Sequence, residues 1–233
     1  MIEIRKKDKI YHIETDWFSG YWHFSFDRYH DPRNVHFGTL RVFNVDTLVP
    51  GGVWPMHPHK DIEVITYCAD GEFEHADNLG NGGVLFPGDV QHTTVGSGMQ
   101  HAEINHSNER PMTFIQLWII PKAPGLSPSL EQRHVHPEER LNRILLLVSS
   151  NNSDALPIQQ DAEVYAATIE PDVILTHQLQ PGYGAYLYLI SGEMELNGSR
   201  LSSGDAAKIQ DQTAISLRGV ETSEVFMVVV RVD

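Results

Sequence analysis

The stretches "YCADGEFEH" (residues 67–75) and "FPGDVQHTTV" (86–95) have an ordered echo in "LISGEMELN" (189–197) and "LSSGDAAKIQD" (201–211). In both copies an apolar run meets a Gly-Glu turn, a second run follows, and a Gly-Asp turn leads into a third. Such a repeat restricts the chain to two assemblies of one type. The type follows from the intervening runs. "TLRVFNVDTLV", "DIEVITYCAD", "PMTFIQLWII", "RILLLVS", "EVYAATI", "AYLYLIS" and "SEVFMVVVRV" are short, apolar or alternating, and rich in Val, Ile, Tyr and Phe. Turn signals such as "VPGG", "LGNGG", "NGS" and "SSGD" separate them. No long segment has a helical period, and only "PSLEQR" and "PEERLNR" read as brief helices. This pattern predicts an all-β chain of two tandem jelly-roll barrels with few short helices. The segment "PKAPGLSPSLEQRHVHPEER", with four prolines, reads as the connection. The expected domains are therefore residues 1–121 and 141–233, joined by a linker at 122–140.

The first half carries a pattern the second lacks. In "HPHKDIE", His57 and His59 fall on one face of an extended strand, and Glu63 shares their parity if the strand runs on. Pro55 and Pro58 argue against a helix here. Two neutral imidazoles projecting from one strand make half of a metal site. "GSGMQHAEIN" supplies a second pair, His101 and Glu103, again two residues apart. Aligned on the Gly-Glu and Gly-Asp turns, the second copy places Gln178, Gln180 and Gly184 at the positions of His57, His59 and Glu63, and Leu217 and Gly219 at those of His101 and Glu103. Both pairs are present in one half and absent from the other, which favours a single metal site in the first barrel. The plainer alternative is that His101 hydrogen-bonds to Glu103 or to a loop carbonyl.

Composition narrows the partners. The 233 residues are 41% hydrophobic, enough for a proper core, and carry a net charge of -14 from 31 acidic and 17 basic side chains. A field of that sign repels polyanions, so direct contact with nucleic acid is not expected, whereas a protein partner is compatible with it. The opening "MIEIRKKDKI" has no apolar core of the kind a secretory signal carries, no 18-residue apolar run occurs, and the chain reads as cytoplasmic with no membrane association. The one cysteine, Cys68, sits within "VITYCAD" and reads as a small buried hydrophobe rather than a reactive thiol.

These residues carry a family resemblance. "GGVWPMHPHKDIE" resembles the first cupin motif through Gly51, His57, His59 and Glu63, and "GSGMQHAEIN" resembles the end of the second through Gly98, His101 and Asn105. Within the cupins, "HPHKDIEVITY", "PGDVQHTTVGSGMQHAE", "WHFSFDRYHDP" and "IQLWII" resemble the pirin family, and more closely its bacterial quercetinase-like members. The resemblance spans residues 17–121, and a degenerate second barrel agrees with that family's two-cupin build.

The resemblance implies one metal held by His57, His59, His101 and Glu103. In cupins generally the carboxylate of the first motif is the ligand, so Glu63 competes with Glu103; the pirin pattern puts Glu63 behind the ligands instead. The ion implied is Fe(II), with Mn, Co, Ni or Zn as alternatives. The implied reaction is ring opening of a flavonol such as quercetin by dioxygen with release of carbon monoxide, Glu103 being both ligand and general base. A small aromatic substrate and dioxygen are the implied partners. A second implied reading is a metal-binding regulatory or redox-sensing module acting through a protein partner. His92 stands where many relatives carry a bulky residue and is expected in the core or at the surface. Phe24, Phe26, Phe37 and Met56 are candidates for the pocket wall. His12, His23, His30, His36, His75, His106, His134, His136 and His177 are assigned solvated or structural roles by default.

Overall fold

The structure, a computed structural model, describes residues 1–232. In chain order the strands begin with β1 (Ile2–Arg5), which leads through a 3-10 turn, Lys7–Lys9, into β2 (Tyr11–Glu14). There follow β3 (Phe18–Trp22), β4 (Leu40–Leu48), β5 (Val53–His59), β6 (Glu63–Asp70), β7 (Phe73–Asp77) and β8 (Gly82–Leu85). β9 (Val90–Thr94), β10 (Met99–Asn105), β11 (Met112–Ile119) and β12 (Ser129–Arg133) complete the first half. After one helical turn, α1 (Pro137–Arg140), come β13 (Leu145–Ser149), β14 (Leu156–Pro157), β15 (Ala162–Ile169), β16 (Ile174–Gln178) and β17 (Tyr183–Ser191). The last strands are β18 (Glu193–Leu196), β19 (Ser199–Ser202), β20 (Ala206–Ile209), β21 (Ala214–Gly219) and β22 (Ser223–Arg231).

These strands form two compact units, one of Tyr11–Val135 with Leu156–Gln160, the other of Met1–Ile10, His136–Ala155 and the chain from Asp161. In the first unit a seven-stranded antiparallel sheet, β12-β9-β6-β11-β4-β3-β2, packs on a four-stranded sheet, β5-β10-β7-β8. Phe73 and Leu85 of the small sheet meet Trp22, Leu48, Cys68, Met112 and Phe114 of the large one in a core closed to solvent. Cys68 is fully buried, and burial pushes its thiol up to about 12, so it behaves as the hydrophobe expected. The second unit repeats the plan with β1-β20-β17-β22-β15-β13 on β16-β21-β18-β19. Its core is aliphatic, with Leu187, Leu189, Leu196, Leu201, Ile209, Ile215 and Val225 among its fully packed residues.

The turns that revealed the repeat have a common cause. Gly71 and Gly192 both adopt left-handed backbone, at φ 79° and 85°. A Cβ at Gly71 would lie 2.6 Å from the Pro111 carbonyl oxygen, and one at Gly192 would lie 2.4 Å from that of Thr222. Only glycine tolerates both the angle and the approach.

The compact units do not coincide with the spans expected from sequence. β1 pairs with β20, Ile2 opposite Ile209 and Arg5 opposite Ala206, so the first ten residues belong to the C-terminal unit. "SLEQR", read as helical, is β12, paired with β9 from Ser129 opposite Thr94 to Arg133 opposite Val90. Five residues are too few to hold an isolated helix, and the unpaired edge of β9 offers every backbone group a partner. "PEERLNR" gives only the single turn of α1. It is started by a capping box in which the His136 amide donates to Glu139 Oε1 (2.9 Å), and it stops where Leu141 turns extended to bridge Thr168.

Candidate metal centre

β5 is the edge of the small sheet, bonded only to β10. An edge strand tolerates Pro55 and Pro58, whose missing N–H groups would break an interior ladder. His57 stands directly opposite His101, and His59 opposite Met99, so alternation along two neighbouring strands turns three imidazoles to one face. A register shift between His101 and Glu103 leaves Glu103 opposite Trp54 on that same face. The turn into β5 is pinned from β10: the Asn105 amide donates to the carbonyls of Val49 (2.9 Å) and Arg110 (2.8 Å).

His57, His59 and His101 each offer a ring nitrogen, and these three atoms lie within 4.8 Å of one another. His57 Nδ1 bonds to the Pro55 carbonyl (2.8 Å), which fixes the proton there and leaves Nε2 as a lone pair. His59 Nε2, His101 Nε2 and Glu103 Oε2 are shut off from solvent yet have no hydrogen-bond partner among the described residues. Buried polar atoms are nearly always paired, so this concentration of orphans marks a place built for something else. Burial, with the neighbouring imidazoles, depresses His59 to about 4 and His101 to about 2. Both are therefore neutral at pH 7, the form that binds a cation. Glu103 lies 3.6 Å from His101 Nε2 through Oε1 and 4.0 Å from His57 Nδ1 through Oε2. Burial raises its pKa, against the opposing pull of His57 and of a hydrogen bond from Gln116. The three histidines could hold a cation, and neutral imidazoles with a carboxylate nearby suit a divalent transition ion.

The centre opens onto a cleft walled by Phe26, Trp54, Phe114 and Trp118, with Asn44, Asp46 and Gln116 among them. Trp118 sits edge-on to His59 with ring centres 4.8 Å apart, and Phe26 packs edge-on to Trp118 at 5.3 Å. The Trp118 indole donates to Gln116 Oε1 (3.2 Å), which orients the amide so that its Nε2 donates to Glu103 Oε1 (2.8 Å). Gln116 thereby occupies one carboxylate oxygen and leaves the other free.

Of the proposed wall residues only Phe26 lines the cleft. Phe24 and Phe37 are core, and Met56 is 48% exposed on the outer side of β5. Gln116, Trp118, Trp54 and Asp46 were not anticipated, although "IQLWII" places Gln116 and Trp118 on one strand face. His75 is buried in a structural role behind the centre. Its ring centre is 5.4 Å from that of His101, and its nitrogens are 3.3 Å from Asp77 Oδ2 and from Gln91 Nε2.

Glu63 is not behind the ligands. β5 ends at His59, Asp61 takes a left-handed turn (φ 52°), and β6 begins at Glu63, so the assumed parity is broken. Cross-strand register puts Val64 and Thr66 on the face of Trp118 and Gln116, and Glu63 on the opposite face with His92. There its carboxylate accepts the amides of Gln159 (2.7 Å) and Gln160 (2.9 Å) and lies 3.3 Å from His92 Nε2. His92 is buried, which disfavours its charge, but Glu131 and Glu63 more than offset this and raise its pKa.

Among the described residues the second barrel shows no equivalent group of histidines. By strand register Leu175 opposes Leu217 as His57 opposes His101, and His177 opposes Ile215 as His59 opposes Met99. The counterparts of His57 and His59 are therefore Leu175 and His177, not Gln178 and Gln180. Alignment on the turn slipped because the chain from His177 to Gly184 is longer than that from His59 to Glu63. Leu217 and Ile215 belong to the apolar core, and His177 packs edge-on to Tyr165 with ring centres 4.7 Å apart.

Two tandem barrels of this topology, the first with convergent histidines and the second without, define a two-domain cupin. Residues 3–119 match the family described as pirin, and residues 146–229 match the quercetinase C-terminal cupin domain. A pirin-like protein of Caulobacter vibrioides is 40% identical over 98% of this chain and 99% of its own. A quercetin 2,3-dioxygenase of Escherichia coli K12 is 32% identical over 97% of each chain. The crystal structure of the bacterial pirin YhhW of Escherichia coli in complex with nickel(II) superposes with a TM-score of 0.93, at 31% identity over 99% of each chain. The chain belongs to the pirin family. No helix among the described residues is long and apolar enough to cross a membrane.

Proposed function

We infer that the protein is a metal-dependent dioxygenase that opens flavonols such as quercetin with dioxygen and releases carbon monoxide. The observation that carries this reading is the group of unpartnered buried ligand atoms on His59, His101 and Glu103 at the end of an aromatic cleft. Full-length similarity to a protein called quercetin 2,3-dioxygenase supports it. His57, His59, His101 and Glu103 would hold one divalent ion, Fe(II) foremost, with Mn, Co or Ni as alternatives; Zn would bind without redox chemistry. Such an ion, when bound, acidifies a hydroxyl beside it and, where redox-active, opens a path for electrons to dioxygen.

The chain's own residues do the rest. Glu103 Oε2, free of hydrogen bonds, accepts the proton of the flavonol 3-hydroxyl, and Gln116 keeps the carboxylate from rotating away. Phe26, Trp54, Phe114 and Trp118 hold flat rings and keep water out. Both atoms of dioxygen are retained: one flavonol and one dioxygen give one phenolic ester and one carbon monoxide.

Apoprotein loaded in turn with Fe(II), Mn(II), Co(II) and Ni(II) should bleach quercetin's visible absorbance in air with at least one of them, evolving one carbon monoxide per flavonol. Stoichiometric metal without turnover in any case would overturn the enzyme reading in favour of a metal-binding regulatory module. Gln116→Leu provides a finer check. Its hydrogen bond favours the charged form of Glu103, so its loss raises the carboxyl's pKa. The base form is then reached only at higher pH, and the acidic limb of the pH–rate profile should move upward. A limb that stays in place or moves down would exclude Glu103 as the base.

A further inference from the structure

Asp46 and Asn44, two residues apart on β4, both line the cleft and are almost closed to solvent, 4% and 3% exposed. Neither belongs to the group of metal-binding atoms. Asp46 Oδ1 accepts a hydrogen bond from the Trp22 indole (3.0 Å), and no other donor among the described residues reaches its carboxylate. The side-chain oxygen of Asn44 has no partner among them. The carboxylate nonetheless sits in a place shaped for it. Gly20 on β3 is the direct cross-strand neighbour of Asp46, and a Cβ there would stand 2.2 Å from Asp46 Oδ1 and 3.0 Å from Trp22 Nε1. Gly20 is not among the residues with positive φ, so its backbone does not demand glycine. The missing side chain is space for the Asp46 carboxylate. Burying an under-paired carboxylate and carboxamide side by side is costly unless a ligand completes them.

Both under-paired groups present acceptor oxygens, and a hydroxyl has one proton to donate, so two neighbouring hydroxyls, as on a catechol ring, complete the pair. We propose that Asp46 and Asn44 form a recognition subsite that selects polyphenols bearing a further pair of neighbouring hydroxyls, remote from the one that gives its proton to Glu103. The proposal rests on the reading of the cleft as a flavonol site. A ring without those hydroxyls leaves both buried groups unpaired, and sites built on hydrogen bonds reject such analogues far more strongly than apolar pockets reject a missing methylene.

The test is equilibrium binding without oxygen, so that no turnover is needed. Nickel-loaded protein is titrated with quercetin and with 3-hydroxyflavone, which keeps the reacting hydroxyl and lacks all the others, and quenching of tryptophan fluorescence is followed. Wild-type protein should prefer quercetin by at least about tenfold, the worth of two net hydrogen bonds. Asp46→Asn should bring that preference down to a few-fold while nickel content stays at the wild-type value. Gly20→Ala, which displaces the carboxylate without changing its chemistry, should lower the preference in the same direction and serves if Asp46→Asn does not fold. A preference near one in wild-type protein, or an unchanged preference in a folded, metal-replete variant, would overturn the subsite, as would failure of both flavonols to bind. Selective binding that disappears in the variants, with no ring opening in air, would uphold the subsite and count against the dioxygenase reading alone.

Discussion

Replacing His101 with alanine should empty the metal centre. His101 is 2% exposed and directly faces His57 across the β5–β10 pair, so its loss takes away a ring nitrogen that lies 3.6 Å from Glu103 Oε1 and within 4.8 Å of those of His57 and His59. Removing even an outer partner of a metal ligand typically costs about tenfold to a hundredfold in metal affinity or activity, and loss of the ligand itself should exceed that range. The expected result is metal content well below one per chain after dialysis and flavonol turnover reduced by more than about a hundredfold. The apoprotein should change little in stability, because the cavity left behind is offset by relief of an imidazole buried without a hydrogen bond for Nε2. A variant that retained full metal and activity would show that the imidazoles converge without acting together.

The opposite pattern is expected at Glu63. In the generic cupin arrangement a carboxylate at this point binds the metal, but here it accepts two backbone amides and lies beside a buried imidazole on the other face of the sheet. Glu63→Gln turns an N–H group toward at least one of those donors and takes away the negative charge that His92 faces. Breaking a buried charge pair from one side costs about 3–5 kcal/mol. A urea melt should therefore lose most of the protein's margin, while metal stoichiometry in the folded fraction stays at one. Loss of metal with stability intact would restore Glu63 as a ligand.

The contrast between these residues shows what the sequence could reveal. The shared face of His57, His59, His101 and Glu103 was legible because strand alternation is local: each pair needs only two residues of extended chain to share a face. The two-barrel plan was legible from Gly71 and Gly192, whose left-handed turns admit little else. Glu63 was misjudged because a three-residue turn, with Asp61 left-handed, interrupts the parity that joined it to His59. The Gln178 and Gln180 correspondence failed in the same region of the second barrel, where the connection is longer and only strand register shows it. Gln116, Trp118 and Asp46 reach the site through pairing among β4, β11 and β6, contacts between residues far apart in sequence that no local pattern encodes. β12 was misread because its helix-compatible residues complete the edge of β9 instead.

The pairing of β1 with β20 bears on how the molecule comes into being. Residues 2–5 leave the ribosome well ahead of residues 206–209, their hydrogen-bonding partners. Synthesis normally lets an N-terminal domain fold before later ones emerge. Here the strand that precedes the first barrel must wait, unpaired, while the chain from Tyr11 onward closes without it, and the second barrel gains its outer strand only once β20 has been made.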